Sequence, residues 1–196
     1  AIEQHRQALA IAQEVGNKRG EGIQLGNLGN SYKSMGQLDQ AIEHHNQAIA
    51  IAREVGDQRS EGFNLGNLGQ VFLMLDQIDD AEDAFRLAIH ACDETVPVTA
   101  GTFRGFLALI RAKQGETDEA KDLIGTGEPQ VDANAEEYAK FLAKKAQVCL
   151  LGGDADGARD ALDQAEEIAA ELKVADDSEV AQALAEMGAV LKDDSE

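Results

Sequence analysis

The sequence predicts an all-α fold, an α-solenoid of stacked antiparallel helix hairpins, and three observations support this fold class. Residues 1–40 and 41–80 align without a gap and are identical at 22 of 40 positions. Helix-forming residues fill long stretches, and only two prolines occur among the 196 residues. Aromatic residues make up 4% of the chain and Trp is absent. The core is therefore expected to consist of small and aliphatic side chains, which suit closely packed helices, and no strand is expected.

Each 40-residue unit contains two stripes of small and apolar residues with the spacing of one helix face. A fixed period between 20 and 50 residues is typical of stacked repeats, in which each unit buries its apolar face against its neighbours. Each unit is thus predicted to be a helical hairpin. The first helix carries Leu25, Leu28, Gly29 and Tyr32, and the second carries Ala41, His45, Ala48 and Ala52.

The turn inside each hairpin is expected to depend on a glycine and an acidic residue. Gly36 can adopt the left-handed conformation that ends the first helix. Asp39 is predicted to cap the second helix, where negative charge interacts favourably with the helix dipole. The acidic residue recurs at Asp79, Asp118 and Asp156, and these recurrences extend the register into the less regular second half.

This register predicts a single solenoid over residues 1–196. Gly125 and Gly127 are expected to end the second helix of the third complete hairpin early, and the first helix of that hairpin has Ala108 in place of a small glycine. The third hairpin is therefore expected to be the least stable. The predicted segments are the second helix of an incomplete repeat at 1–15, repeats at 20–56 and 59–95, degenerate repeats at 99–126 and 132–173, and a capping helix at 177–192.

The pattern L-x2-L-G-x2-Y, which begins at Leu25 and is followed by Ala41 and Ala48, resembles the tetratricopeptide repeat (TPR). The 40-residue unit with its LGNLG segment is similar to the variant found in kinesin light chains, spindle-orientation adaptors and bacterial multidomain regulators. The resemblance is strongest over residues 1–95. It implies a right-handed superhelix whose first helices line a concave groove, and a function in protein binding.

The charge composition restricts the classes of partner that the chain can bind. The 17 basic and 37 acidic residues give a formal charge of −20, which disfavours nucleic acids and anionic membranes. Acidic residues concentrate in residues 81–196, where they form either a solvated outer face or a surface for a basic partner.

No apolar run approaches the length of a membrane span, and the two cysteines lack the spacing of a disulfide framework, so a cytoplasmic protein is expected. Because Ala1 falls in mid-repeat, the chain is expected to be a piece of a longer polypeptide.

No catalytic site, metal site or cofactor is expected. Gly20-Glu21-Gly22 lacks the remaining glycine and the preceding strand of a dinucleotide motif, and no G-K-[ST] sequence occurs. The adjacent His44 and His45 point about 100° apart on a helix, too far apart to share a metal. His5 and His45, which replace the family's second-helix aromatic, are interpreted as partly buried, hydrogen-bonded rings. Packing roles are assigned to Gly26, Gly29, Gly66, Gly69, Cys92 and Cys149.

The register along the first helices defines the groove that the resemblance assigns to a partner, and none of its sixteen positions is acidic. Asn27 and Asn67 are expected to hold the backbone of a partner segment, since one amide can donate and accept. Lys140 and Lys144 are expected to receive an acidic group of that segment. The predicted groove residues are Ile23, Asn27, Asn30, Phe63, Asn67, Gln70, Met74, Phe106, Lys113, Lys140, Lys144 and Gln147, with Ser34, Thr102, Leu109 and Leu151 completing the positions.

The favoured function is a non-enzymatic module, such as an adaptor or scaffold, that binds a protein or peptide. A regulatory arm of a larger signalling NTPase or protease is one alternative. Another is a self-assembling scaffold that associates through the uncapped helix at residues 1–15. The acidic exterior, in place of the groove, is an alternative binding surface.

Overall fold

The computed structural model describes residues 1–175, 178, 180–182, 184–185 and 187–188. The predicted all-helical solenoid is confirmed: the described part of the chain contains helices and turns but no strand. Between residues 1 and 175 the helices are α1 (Ile2–Glu14), α2 (Lys18–Ser34), α3 (Leu38–Val55), α4 (Gln58–Met74), α5 (Ile78–Cys92), α6 (Pro97–Lys113), α7 (Thr117–Val131), α8 (Ala135–Leu151) and α9 (Ala155–Leu172).

The chain divides into two compact units, Ala1–Val96 and Pro97–Glu196, which we call unit 1 and unit 2. In unit 1, α2 forms a hairpin with α3 and α4 forms one with α5, while α1 packs against α2 and α3 packs against α4. In unit 2, the hairpins are α6 with α7 and α8 with α9, and α8 also packs against α6 and α7. Consecutive hairpins therefore stack within each unit, as the repeat predicts.

The hairpins of unit 1 close where a glycine of the first helix meets a ring of the second helix. A Cβ atom added to Gly29 would lie 2.7 Å from the ring of His45, and one added to Gly69 would lie 2.9 Å from the ring of Phe85. Because Cβ contacts this short essentially never occur, only glycine allows the two helices to approach so closely. Both rings are fully buried. The packing role of these glycines is confirmed.

A hydrogen bond between buried side chains joins one hairpin of unit 1 to the next. Nδ1 of His45 in α3 lies 3.0 Å from Oδ1 of Asn64 in α4. The Asn64 amide nitrogen donates to the carbonyl of Ser60, so its oxygen accepts and His45 Nδ1 carries the proton. One period earlier, Nδ1 of His5 lies 3.1 Å from Oε1 of Gln24. The interpretation of both histidines as hydrogen-bonded packing residues is confirmed.

The helix ends agree only partly with the predicted turn chemistry. Gly36 adopts the left-handed conformation, with φ of +71°, as predicted. The prediction that Asp39 caps the second helix is wrong, because the cap position of α3 is Gln37 and Asp39 lies in the first turn. There its charge still interacts favourably with the helix dipole. In unit 1, side-chain caps occur on the first helices instead, at Asn17 of α2 and Asp57 of α4.

The prediction that the third hairpin loses part of its second helix is wrong. Helix α7 passes through Gly125, Gly127 and Pro129 and ends at Val131. Gly127 is buried, and a Cβ there would lie 3.0 Å from the Phe141 ring, so tertiary packing outweighs the low helix propensity of glycine. A second close approach joins the two helices of this hairpin, since a Cβ on Gly101 would lie 2.7 Å from the carbonyl oxygen of Gly127.

The predicted capping helix at 177–192 falls partly within the described residues. Residues 180–182, 184–185 and 187–188 are helical. Val180, Leu184 and Met187 are buried in a core that they share with residues of α8 and α9. The other residues of the predicted segment lie outside the described part of the chain, and the repeat boundaries themselves stay a prediction.

Two glycines of α7 provide a matched test of the packing argument. Gly125 is exposed, with no described atom within 4 Å of an added Cβ. We expect Gly125→Ala to raise the free energy of unfolding by about 0.5–1 kcal/mol, because alanine favours the helix. Gly127→Ala should lower it by about 1–3 kcal/mol, because the added methyl group crowds Phe141 and Arg104. Urea denaturation measures both, and equal effects at the two positions would contradict the close approach.

Burial of His45 makes the stability of unit 1 depend on pH. Burial lowers the pKa of His45 from 6.5 to about 4, although the hydrogen bond with Asn64 opposes this change. The unfolded chain therefore binds more protons than the folded chain between these two pH values, and stability falls as the pH drops below 6.5. We expect a loss of about 2 kcal/mol between pH 7 and pH 5 from this group.

The measurement is urea denaturation at pH 7 and pH 5 for the natural chain and for His45→Phe, which places the residue found at Phe85 in the equivalent site. The variant should lose this part of the pH dependence, whereas His44→Gln should keep it. An unchanged pH dependence in His45→Phe would show that other groups are responsible.

Candidate functional site

Helices α2 and α4 of unit 1 present a common face of amide side chains, which we call the amide face. The polar side chains, all partly buried, come from Asn27 and Asn30 on α2 and from Asn67 and Gln70 on α4. Apolar residues flank them. The amide face consists of Asn27, Asn30, Asn67 and Gln70 with Ile23, Phe63 and Met74, of which Ile23 is 45% and Met74 57% exposed.

A lysine that the sequence analysis did not single out joins the two helices across this face. Nζ of Lys33 lies 2.8 Å from Oε1 of Gln70 and 3.3 Å from Oδ1 of Asn67. The amide nitrogen of Asn67 donates to the carbonyl oxygen of Phe63 at 3.0 Å. Asn67 is therefore held in one orientation, with one N–H and one oxygen lone pair left for a further bond. The residue one period after Lys33 is Leu73, so periodicity gave no signal for this contact.

The side-chain amides of Asn27 and Asn30 on α2 make fewer hydrogen bonds than those of Asn67 and Gln70 on α4. Oδ1 of Asn30 is buried and receives no hydrogen bond from the described residues. No hydrogen bond to the Asn27 side-chain amide occurs in that part of the chain either, although its backbone carbonyl accepts from Ser31. A buried oxygen without a donor is rare in folded proteins and calls for a partner group or a special role.

The predicted groove residues of unit 2 lie together on α6 and α8, where they contact one another. Nζ of Lys144 stands 4.3 Å above the Phe106 ring and donates to the carbonyl of Lys140. Lys140 pairs with Glu136 and Glu137 of its own helix. Phe106 and Gln147 are partly buried and Lys113 is exposed.

The acid-free description of the unit 2 groove needs a correction. Glu137 bonds Lys140, and its other oxygen accepts from the Thr102 hydroxyl of α6 at 3.0 Å. A carboxylate thus lies between two of the predicted groove positions. The predicted stripe on α8 begins at Lys140 and so leaves out Glu137, which lies one helical turn before Lys140 and two turns before Lys144.

A pocket of about 330 Å³ opens at the turn between α3 and α4 of unit 1. Arg19 of α2 reaches across to Asp57, with Nε 2.9 Å from Oδ2. Burial tends to raise the pKa of Asp57, but hydrogen bonds from Ser60 and the charge of Arg19 outweigh it and hold the pKa below its usual range. Asp57 thus caps α4 and ties it to α2, so its charge has a structural role. The pocket is lined by Arg19, Val55, Gly56, Asp57, Gln58, Arg59 and Thr95.

Metal-ion sites and membrane-spanning helices are both absent from the described residues. No group of three or more His, Cys, Asp or Glu side chains there could hold a metal ion. No helix in the same residues has the length and hydropathy required to cross a membrane.

The tetratricopeptide repeat model matches residues 1–54 and 22–94, the segments that contain the helix hairpins of unit 1. The match agrees with the glycine and ring contacts that close these hairpins. Residues 1–94 belong to the tetratricopeptide repeat family. The comparison with curated protein sequences gives no significant match.

Solved structures resemble this chain at low sequence identity, and this likeness shows the fold alone. BtubC (BKLC) from P. vanneervenii is 18% identical with a TM-score of 0.72, over 87% of this chain and 72% of that protein. A putative kinesin light chain from Podosopora anserina with TPR-like repeats is 17% identical with a TM-score of 0.65, over 88% and 86%. Aspartyl phosphate phosphatase F from Bacillus subtilis is 18% identical with a TM-score of 0.73, over 98% and 54%.

The two cysteines of the tetratricopeptide solenoid should differ in reactivity. Burial raises the pKa of the Cys92 thiol to about 11, and its sulfur fills the space beside Gly62. Burial also raises the pKa of Cys149, but this residue is only partly buried. We expect a thiol-reactive disulfide reagent to modify Cys149 first and Cys92 only as unit 1 opens.

Absorbance of the released thiolate measures both rates, and Cys149→Ser should remove the faster one. A fast phase that persists in Cys149→Ser would contradict the buried position of Cys92.

Proposed function

We propose that the chain is a non-enzymatic protein-interaction module that holds an extended partner segment along the amide face of unit 1. The observation that carries this proposal is the row of four partly buried amides on α2 and α4, which keep unused hydrogen-bonding capacity among the described residues. The exposed apolar side chains of Ile23 and Met74 lie on the same two helices. A peptide segment supplies both backbone polar groups and apolar side chains.

The chemistry of the amide face suits the backbone of an extended peptide. Each peptide unit offers one N–H and one C=O, and an amide side chain can bond both. Asn67 is oriented in advance by Phe63 and Lys33, so less side-chain entropy is lost when it binds. Bonds to backbone groups give affinity for many sequences, and the apolar flanks select among them.

Lys33 determines the charge that the amide face prefers. None of the seven residues of the amide face is acidic, and Lys33 is the cation bonded to it. A neutral or acidic segment is therefore favoured over a basic one. For unit 2 we retain the proposal that a partner carboxylate approaches Lys144, where the charge stands above the Phe106 ring.

Substitution of the amides tests the proposed face. A peptide is first selected against the chain from a random peptide library, and its affinity is measured by fluorescence anisotropy. We expect Asn30→Ala and Asn67→Ala each to weaken binding by roughly 1–3 kcal/mol, because each change removes hydrogen bonds in a desolvated interface. Circular dichroism should show unchanged helix content.

Two exposed acids outside the amide face provide the control. Glu43→Lys on α3 and Asp83→Lys on α5 should leave the affinity of the selected peptide within about threefold of the natural chain. If these changes abolish binding while the amide substitutions leave it intact, the partner recognises the acidic exterior and the proposal is wrong.

A further inference from the structure

The pocket of about 330 Å³ at the turn between α3 and α4, which we call the turn pocket, has an excess of positive charge. Its lining residues include two arginines, Arg19 and Arg59, and a single acid, Asp57. Asp57 is already engaged, because its carboxylate accepts from Arg19 and from the Ser60 hydroxyl. Two positive charges against one negative leave the lining with a net positive charge, in a chain whose formal charge is −20.

The side chain of Arg59 lacks the kind of partner that every other lysine and arginine of unit 1 has. The structure describes all of residues 1–96, and each of the other Lys and Arg side chains there bonds a carboxylate, hydroxyl or amide oxygen. The guanidinium of Arg59 stands 5.6 Å from the centre of the Phe63 ring and forms no ion pair or hydrogen bond with any described residue. Its N–H groups therefore remain available to an acceptor.

The repeat indicates which partner Arg59 is missing. Arg19 and Arg59 occupy equivalent positions one period apart, and Arg19 bonds the carboxylate of Asp57 in the next turn between hairpins. The residue one period after Asp57 is Pro97, whose side chain has no hydrogen-bonding group. Arg59 is thus the arginine of the repeat without its carboxylate, and the pair of Arg19 with Asp57 shows that a carboxylate suits an arginine at this position.

The other lining residues of the turn pocket favour a small ligand that is partly apolar. The pocket volume lies near the lower end of the roughly 300–1,000 Å³ usual for small-molecule sites. The side chain of Val55 is 41% exposed and gives the pocket an apolar wall. Thr95, from the turn that follows α5, lines the pocket near the same guanidinium. Burial raises the pKa of the Cys92 thiol at the end of α5, and the charge of Arg59 opposes that rise, so Arg59 lies close to this end of the helix.

We propose that the turn pocket binds a small molecule that carries one carboxylate on a short apolar body. The carboxylate bonds the guanidinium of Arg59 as Asp57 bonds Arg19, and the apolar body packs against Val55. A guanidinium and a carboxylate can form two parallel hydrogen bonds, which makes arginine selective for this group. A single carboxylate neutralises the lining, whereas a phosphate dianion would add negative charge to an already acidic chain.

The turn pocket is separate from the amide face, since none of its lining residues belongs to that face. The proposal therefore does not depend on the proposed peptide-binding function.

A titration followed by two-dimensional ¹H–¹⁵N NMR tests the site. The probe is 4-methylpentanoate, and its uncharged amide, 4-methylpentanamide, is the matched control. We expect saturable binding of the acid with a Kd of about 1–10 mM, and binding of the amide at least about tenfold weaker. The backbone amide signals of Gly56, Gln58 and Thr95 should shift, whereas that of Gly36, in the turn between α2 and α3, should not.

Substitution of Arg59 tests its assigned contact. Arg59→Gln should weaken binding of the acid at least about tenfold, and Arg59→Lys, which keeps the charge but loses the fork of donors, should have an intermediate effect. Arg86→Gln makes the same change of charge on α5 outside the pocket and should leave the Kd within about twofold of the natural chain. Circular dichroism checks that each variant keeps its helix content.

Three results of these titrations would overturn the proposal. They are a titration of the acid that does not saturate, an amide that binds as well as the acid, and equal losses in Arg59→Gln and Arg86→Gln.

A competition experiment tests whether the site is independent of the amide face, because Arg59 also contacts Phe63 of that face. The peptide selected for the amide face is added to the complex of the chain with 4-methylpentanoate. Both should bind at the same time. Displacement of the probe would assign the carboxylate to the partner segment, and the proposal of a separate small-molecule site would be wrong.

Discussion

The contact between a glycine of one helix and a ring of the next determines how every hairpin of unit 1 is built. Gly29 against His45 and Gly69 against Phe85 bring the helix axes closer than any side chain would permit. That approach buries the rings completely and leaves the edge of His45 within reach of Asn64 in the following hairpin. The stacking of one repeat on the next thus depends on a contact made inside each repeat.

The same constraint determines which surfaces remain available. Because glycines occupy the hairpin side of each first helix, the larger polar residues of α2 and α4 lie on another side, where they form the amide face. Lys33 satisfies Asn67 and Gln70 there but does not reach Asn30. The candidate interaction surface of unit 1 therefore follows from this packing rule.

Unit 2 reaches a comparable packing with different residues. Gly101 and Gly127 bring α6 and α7 together, and Phe141 fills the space beside Gly127. In unit 1 the close-approach glycines lie on the first helix of each hairpin, whereas in unit 2 they lie on both α6 and α7. The alignment to unit 1 therefore gave the wrong expectation for α7. The buried Arg104 bonds Gln130 of the same hairpin at 2.7 Å. Arg104 is tolerated at this depth because its guanidinium has a hydrogen-bond partner, which a periodic pattern does not reveal.

The sequence by itself determined the helices, their pairing into hairpins and the buried stripe from Leu25 to Tyr32. These features follow from the 40-residue repeat and the 3.6-residue helical period, and both periods can be read from residues that are close together in the chain. It also predicted that Asn27, Asn30, Asn67 and Gln70 lie along one face of the first helices. Only the tertiary structure decided that Lys33 bonds Asn67, that Glu137 bonds Thr102, and that α7 continues to Val131. These features depend on distances between side chains far apart in sequence and without periodic counterparts, and such distances are fixed only when the helices pack.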